Sequence, residues 1–174
     1  TPEEPQRLYA PIKYGLEVGG KRIRPTLLML SYNLYAEDIE RALMPAMAVE
    51  IFHNFTLLHD DIMDNAMVRR GRPSVHAKWG ENVAILSGDA MLILAYNHLQ
   101  RTQTDNLSKV FEWFNKMAAE VCEGQQFDMD FETQQKVSVV DYMQMIELKT
   151  AALLAGSATI GAILAEASDH DCRF

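Results

Sequence analysis

The sequence predicts an all-α fold, one domain of long helices packed around a core. Three observations carry this. Apolar residues recur at helical spacing along most of the chain, giving stripes that a 3.6-residue turn places on one face. Strand signals are nearly absent, with no Asn-Gly or Asp-Gly hairpin turn and little period-two alternation. The chain also has enough material for one sizeable core, with 174 residues, of which 48% are apolar and 23% charged.

Taken in order, Pro25 suits the first turn of a helix running through Leu27 to Tyr35, because its fixed φ and missing N–H cost nothing there. Ala42 to Met63 reads as a long, largely buried helix with Pro45 in its opening turn. Asn65 to Gly80, punctuated by Gly71, Pro73 and Gly80, reads as a loop with a short helical turn. Val83 to Arg101 is apolar on nearly all sides and reads as a central helix. Ser108 to Phe131 is a further helix, and Val139 to Leu164 is one or two more, bent near Gly156. No internal repeat, low-complexity segment or linker divides them. Residues 1–174 therefore read as part of one domain.

Composition narrows the chemistry. A net charge of -8 disfavours nucleic acid, whose phosphate backbone asks for a basic surface. No run reaches about 18 consecutive apolar residues, so no membrane span is expected. The start, Thr1-Pro2-Glu3-Glu4-Pro5, lacks both a methionine and a basic-then-apolar leader, and reads as trimmed at its front. The two cysteines, Cys122 and Cys172, have neither disulfide-framework nor metal-site spacing, which suits a reducing cytoplasm.

Against that acidic background two features stand out. The first is His59-Asp60-Asp61-Ile62-Met63-Asp64, closing the long helix. Residues four apart share a helical face, so Asp60 and Asp64 project together while Asp61 points about 100° aside. Carboxylates at the negative end of a helix are unfavourable without a cation, and magnesium, which takes oxygen ligands, resolves this. The alternative is a solvated acidic helix end paired with Arg69 and Arg70. His53, two turns earlier on nearly the same face, is either a core histidine or part of the site. The second feature is a pair of basic clusters. Gly19-Gly20-Lys21-Arg22-Ile23-Arg24-Pro25 sets three cations at a helix start, a sound anion site. Val68-Arg69-Arg70-Gly71-Arg72-Pro73 follows the aspartates, and arginine suits bidentate phosphate recognition. Magnesium carboxylates with two basic patches fit substrates carrying two polyphosphate groups. The bland reading is two solvated basic turns. A P-loop and a dinucleotide fingerprint are both missing, which disfavours nucleotide hydrolysis and kinase chemistry.

In order along the chain, GGKRIRP at Gly19–Pro25, HDDIMDNAMVRRGRPSVH at His59–His76, GDAML at Gly88–Leu92, GQQFDM at Gly124–Met129 and LKTAAL at Leu148–Leu153 resemble the trans-type isoprenyl diphosphate synthases, the farnesyl and geranylgeranyl diphosphate synthase family. The resemblance implies an isoprenoid-synthase bundle around a central cavity, with residues 1–174 as the N-terminal part of the domain. It also implies a second aspartate-rich motif, which this sequence does not contain; Asp169-His170-Asp171 is a poor substitute. Condensation of isopentenyl diphosphate with an allylic diphosphate, in a cytoplasmic homodimer, is the implied activity. Asp60 and Asp64 would bind Mg2+ bridging the allylic diphosphate, with Arg69, Lys149 and Thr150 beside it. Lys21, Arg24, His53 and Arg70 would hold isopentenyl diphosphate, and Gln125 and Asp128 would lie near the metal and the reacting carbons. Arg22 and Arg72 read as surface or supporting charges.

Product length follows from the helix. Thr56 lies one turn, about 6 Å, before Asp60, and Phe55 one residue deeper. A bulky Phe55 would floor the product cavity, while Thr56 leaves room, giving fifteen or twenty carbons. The rival readings are a terpene cyclase, which has no need of a second diphosphate site, and a non-catalytic homologue or subunit. With only one aspartate cluster, residues 1–174 alone are expected to bind magnesium and allylic diphosphate weakly and to turn over slowly.

Overall fold

The computed structural model describes residues 4–168 and 170–172. Thr1–Glu3, Asp169 and Phe174, which figure in the readings of the chain's start, of the Asp169-His170-Asp171 stretch and of the chain's end, lie outside the described residues. The described part is all-α as expected. Its helices are α1 (Gln6–Glu17), α2 (Ile23–Asn33), α3 (Leu43–Met63, entered through a 3-10 turn at Ile39–Ala42), α4 (Val75–Trp79), α5 (Glu81–Gln100), α6 (Leu107–Thr133), α7 (Val139–Ile146) and α8 (Ala152–Leu164). They form two compact units. Residues up to Arg22 with Met47–Arg101 make the first, and Ile23–Ala46 with the residues from Thr102 onward make the second.

The core of the first unit gathers Ile12 and Tyr14 of α1, Leu58 of α3, Val75 of α4, and Ala84 and Met91 of α5. Each large apolar side chain buried there contributes about 1.5–3 kcal/mol over exposure. Helix α1 lies outside the helices expected from periodicity. Pro11 sits in its interior and is buried, where it removes one backbone hydrogen bond and breaks the helical signal. Asn65 to Gly80 is more ordered than a loop. Besides α4 it contains a two-strand antiparallel ladder, β1 (Val68–Arg69) and β2 (Arg72–Pro73), with Val68 opposite Pro73 and Arg69 opposite Arg72. Both turn residues, Arg70 at φ 52° and Gly71 at φ 76°, are left-handed, as a type I′ turn requires. Such short strands show no alternation, and arginine replaces the Asn or Asp that would have announced the turn.

In the second unit α8 packs against α2 and α6. Gly156–Leu164 are buried, and the Ser31 hydroxyl of α2 donates to the Ala158 carbonyl at 2.7 Å. The break expected near Gly156 lies earlier. Between α7 and α8 the chain forms a π turn, Glu147–Ala151. Gly156 instead lies under Met117, where a Cβ would meet the side chain, so it serves packing rather than bending. The run Val139–Leu164 is long and apolar enough to cross a membrane by length and composition, which the count of uninterrupted apolar residues did not show. Its α8 half forms part of the core of this unit.

Candidate active site

The end of α3 is built by its own backbone. Asn65 takes a left-handed conformation at φ 51°, the Asn65 N–H reaches the Ile62 carbonyl at 3.1 Å, and the Ala66 N–H reaches the Asp61 carbonyl at 2.8 Å. This pair of bonds is a Schellman closure with asparagine at the left-handed position. Asp64 is therefore the capping residue, exposed and still bonded through its N–H to the Asp60 carbonyl at 2.9 Å. The chain then doubles back through the hairpin, which returns Arg69 to the aspartates.

Arg69 joins two carboxylates. Its Nε donates to Asp61 Oδ1 at 2.8 Å and its Nη2 to Asp60 Oδ2 at 3.1 Å, with Nη2 also 2.5 Å from Asp61 Oδ1. Asp61 is only 4% exposed. Asp61, which helical geometry sets about 100° aside from Asp60 and Asp64, meets the same arginine as Asp60. Of the alternative, an acidic helix end paired with Arg69 and Arg70, the Arg69 pairing is present, but Asp61 is buried rather than solvated. Burial of the Arg69 guanidinium works to lower its pKa, yet hydrogen bonds and charge from Asp61, then Asp60, outweigh it and hold the pKa above the ordinary arginine value.

The first basic cluster divides between the units. Arg22, left-handed at φ 53°, donates to Glu50 Oε1 and, at 2.6 Å, to the Leu16 carbonyl. Glu50 also accepts from Asn54 Nδ2 at 2.9 Å. Arg22 is thus a supporting charge that fastens the glycine loop to α3. Lys21 is exposed. Gly20 lies against Arg70, where a Cβ would fall 2.6 Å from Nη1, so the loop and the hairpin arginine meet. His53 is half-buried, and its carbonyl accepts from Thr56 Oγ1 at 2.8 Å. Phe55 packs at 5.6 Å from Phe52 and edge-on at 4.8 Å to His59. His59 Nε2 lies 3.2 Å from the Ile85 carbonyl and 3.9 Å from Asp89 Oδ1, which connects the His59–Asp64 stretch with Gly88–Leu92.

Within the second unit Lys149 Nζ donates to Asp128 Oδ2 at 2.5 Å. The π turn presents Lys149, and Thr150 beside it is exposed. The turn is seated on α6 at Gly124, where a Cβ would collide with the Lys149 backbone nitrogen and the Leu148 carbonyl carbon. Gln125, the next residue, has its Nε2 buried without a hydrogen-bond partner among the described residues. Arg24 lies in the first turn of α2 and is half-buried. Of the residues that position these groups within each unit, Asp61, Glu50 and Gly124 were not singled out by sequence. For Gly124 the signal was there, as the opening glycine of the GQQFDM stretch.

The donors at the end of α3 suit magnesium. Asp60 and Asp64 offer hard carboxylate oxygens one turn apart, at a helix end whose dipole favours a cation. Among the described residues no group of three or more His, Cys, Asp or Glu forms a metal cage. Two carboxylates would leave most of the shell to water and phosphate, which is the mode magnesium prefers.

Comparison with known proteins places the chain in a family. The polyprenyl synthetase family matches residues 5–173. The geranylgeranyl diphosphate synthase of Methanosarcina mazei is 45% identical over 95% of this chain and 52% of its own. The short chain isoprenyl diphosphate synthase of Methanocaldococcus jannaschii is 43% identical over 97% and 52%. The crystal structure of geranylgeranyl pyrophosphate synthetase from Pyrococcus horikoshii superposes with a TM-score of 0.95 at 39% identity, covering 98% of this chain and 53% of the other. The chain spans about half the length of the curated relatives it matches. It belongs to the polyprenyl synthetase family.

Proposed function

We propose that the protein is a magnesium-dependent trans-prenyltransferase that condenses isopentenyl diphosphate with an allylic diphosphate, releasing pyrophosphate and a prenyl diphosphate of fifteen or twenty carbons. The observation that carries this reading is the Asp60–Arg69 pair. A metal-binding carboxylate and a diphosphate-binding cation lie 3.1 Å apart at the end of one helix. Family membership and relatives named for prenyl diphosphate synthesis support it.

Magnesium, when bound by Asp60 and Asp64, supplies positive charge to the diphosphate oxygens. Arg69, released from Asp60 while still held by Asp61, faces the allylic diphosphate and stabilises charge on the departing pyrophosphate. Lys149 and Thr150 assist the same group, Lys149 oriented by Asp128, with Gln125 nearby. Lys21, Arg24, His53 and Arg70 hold the diphosphate of isopentenyl diphosphate. The allylic C–O bond breaks, the double bond of isopentenyl diphosphate forms the new C–C bond, and a proton leaves to restore neutrality. Apolar walls keep water from the cation, and Phe55, braced by Phe52 and His59, limits the growing tail, with Thr56 beside it. We take the enzyme to be a cytoplasmic homodimer. The exposed Leu86 and Ile93 of α5 offer an apolar face for the second copy, which sedimentation would test.

The deciding assay supplies isopentenyl diphosphate with each allylic partner, with and without magnesium. Metal-dependent chain elongation is expected. Hydrocarbon from allylic diphosphate alone would instead establish a terpene cyclase. Phe55→Ala should lengthen the product by mass spectrometry, and an unchanged spectrum would remove Phe55 from that role.

A further inference from the structure

A hairpin with two residues per strand does not hold its shape in water unaided, yet here it carries Arg69 and Arg70. Part of what holds it is the site itself. Arg69 is tied to Asp60 and Asp61, and Arg70 lies on Gly20. The Asp60 contact is one that a metal and a diphosphate would rearrange. The hairpin needs an anchor that ligands leave alone.

Tyr14 of α1 is placed to be that anchor. It is 8% exposed, and its hydroxyl donates to the Pro73 carbonyl at 2.8 Å. Pro73 is the cross-strand partner of Val68, and Arg72 that of Arg69. The Arg72 guanidinium carbon lies 4.5 Å from the Tyr14 ring centroid. Lys78 Nζ of α4 lies 4.2 Å from the same centroid, and Trp79 meets the ring edge-on at 5.0 Å. One side chain therefore grips β2 at both of its residues and the helix that follows, by a hydrogen bond, cation–π attraction and ring contact. None of these groups is among those assigned to metal or diphosphate.

We propose that Tyr14 is a positioning residue that fixes the Arg69–Arg70 hairpin for diphosphate binding. The proposal rests on the prenyl-transfer reading, and it deepens that reading by naming what holds the anion-binding arginines in place. Tyr14 touches no substrate. It acts through Pro73 and Arg72.

The test uses inorganic pyrophosphate with magnesium as the calorimetric probe. Tyr14→Phe removes only the hydroxyl and should raise the pyrophosphate Kd about threefold. Tyr14→Leu removes the ring as well and should raise it about tenfold. Binding of magnesium alone should change less than twofold in both. Leu99→Ala, a truncation of a buried α5 residue in the same unit but outside the cluster that holds Tyr14, should lower the melting temperature yet leave the pyrophosphate Kd unchanged below melting. Hydrogen exchange of the Ser74 amide, which closes the hairpin on the Met67 carbonyl at 3.0 Å, reads the anchor directly and should quicken about tenfold in Tyr14→Leu. Unchanged exchange would overturn the anchor. Quickened exchange with an unchanged pyrophosphate Kd would overturn the positioning role, and so would an equal loss of magnesium binding. If the wild-type chain bound no pyrophosphate while Tyr14→Leu freed the Ser74 amide, the prenyl-transfer reading would fall and the positioning role with it.

Discussion

Each of the two units pairs an acidic helix residue with a cation, and the cation arrives by a different route in each. In the first unit Arg69 comes from outside the helix, on a hairpin returned by the left-handed Asn65 and the I′ turn. In the second, Lys149 belongs to a helix and is presented by a π turn seated on Gly124. In the first pair two guanidinium nitrogens converge on one oxygen of a nearly buried acid. In the second, Lys149 Nζ donates to Asp128 Oδ2, and the two keep about a third of their side-chain surface, 27% for Lys149 and 35% for Asp128. A buried, multiply bonded pair orders structure, whereas an exposed pair adds little stability and leaves its cation ready for a ligand. Asp61–Arg69 therefore serves architecture, and under the proposed function Asp128–Lys149 would serve mainly chemistry.

Lys149→Gln makes the strongest test of that contrast. Under the proposed function, prenyl transfer should drop by about 10²–10³-fold, the cost of removing a preorganised charge, while the melting temperature barely moves, because such pairs are worth about 0–1 kcal/mol. A large stability loss would make the two pairs alike. Gly124→Ala comes next. A Cβ pressed onto backbone cannot be relieved by a rotamer change, so denaturant unfolding should show a loss of about 3 kcal/mol. Wild-type stability would mean that the π turn does not need its seat. Asp61→Asn should cost about 2 kcal/mol, since it weakens a charge-assisted pair in a nearly buried place. A neutral effect would erase the architectural role of the first pair.

The smallest effect reports on α6 beside Gly124. Cys122 is surface-exposed, yet partial desolvation of its thiol, then the charge of Glu123, push its pKa above the usual value. A thiol raised in the folded state contributes stability that is full below the unfolded pKa and fades as pH rises through the folded one. Near pH 8 the folded chain should hold less thiolate, so iodoacetamide should label Cys122 several-fold more slowly than in urea. Peptide mapping separates this from Cys172. In Gly124→Ala the rate should shift toward the unfolded value.

Much of the fold was legible because its signals are long. Helices α3, α5 and α6 repeat their apolar stripes over many turns, and Pro25 and Pro45 mark starts. Short or interrupted elements were not. Pro11 hides α1, and the hairpin is too brief for alternation. In the site, helical spacing set Asp61 aside from Asp60 and Asp64, yet Arg69 draws Asp61 and Asp60 together. That spacing could not show where Arg69 would arrive, since that depends on Asn65 and Arg70 adopting left-handed backbone, which such residues do without announcing it. Lys149 and Asp128 were marked by resemblance, but their meeting depends on a π turn with no local sequence signature.

That π turn also changes what a single deletion would mean. A π turn is in effect one extra residue accommodated within a helix. Removing one residue between Glu147 and Ala151 would be easy for the backbone, because it would heal α7 and α8 into one regular helix. Because the wide turn has already absorbed that residue, the flanking helices would keep their facing, and only the residues inside the turn would move. At this place the chain can gain helical regularity only by giving up the bulge that presents its lysine, so a gene losing a single codon here would encode a well-formed helix without its projecting turn.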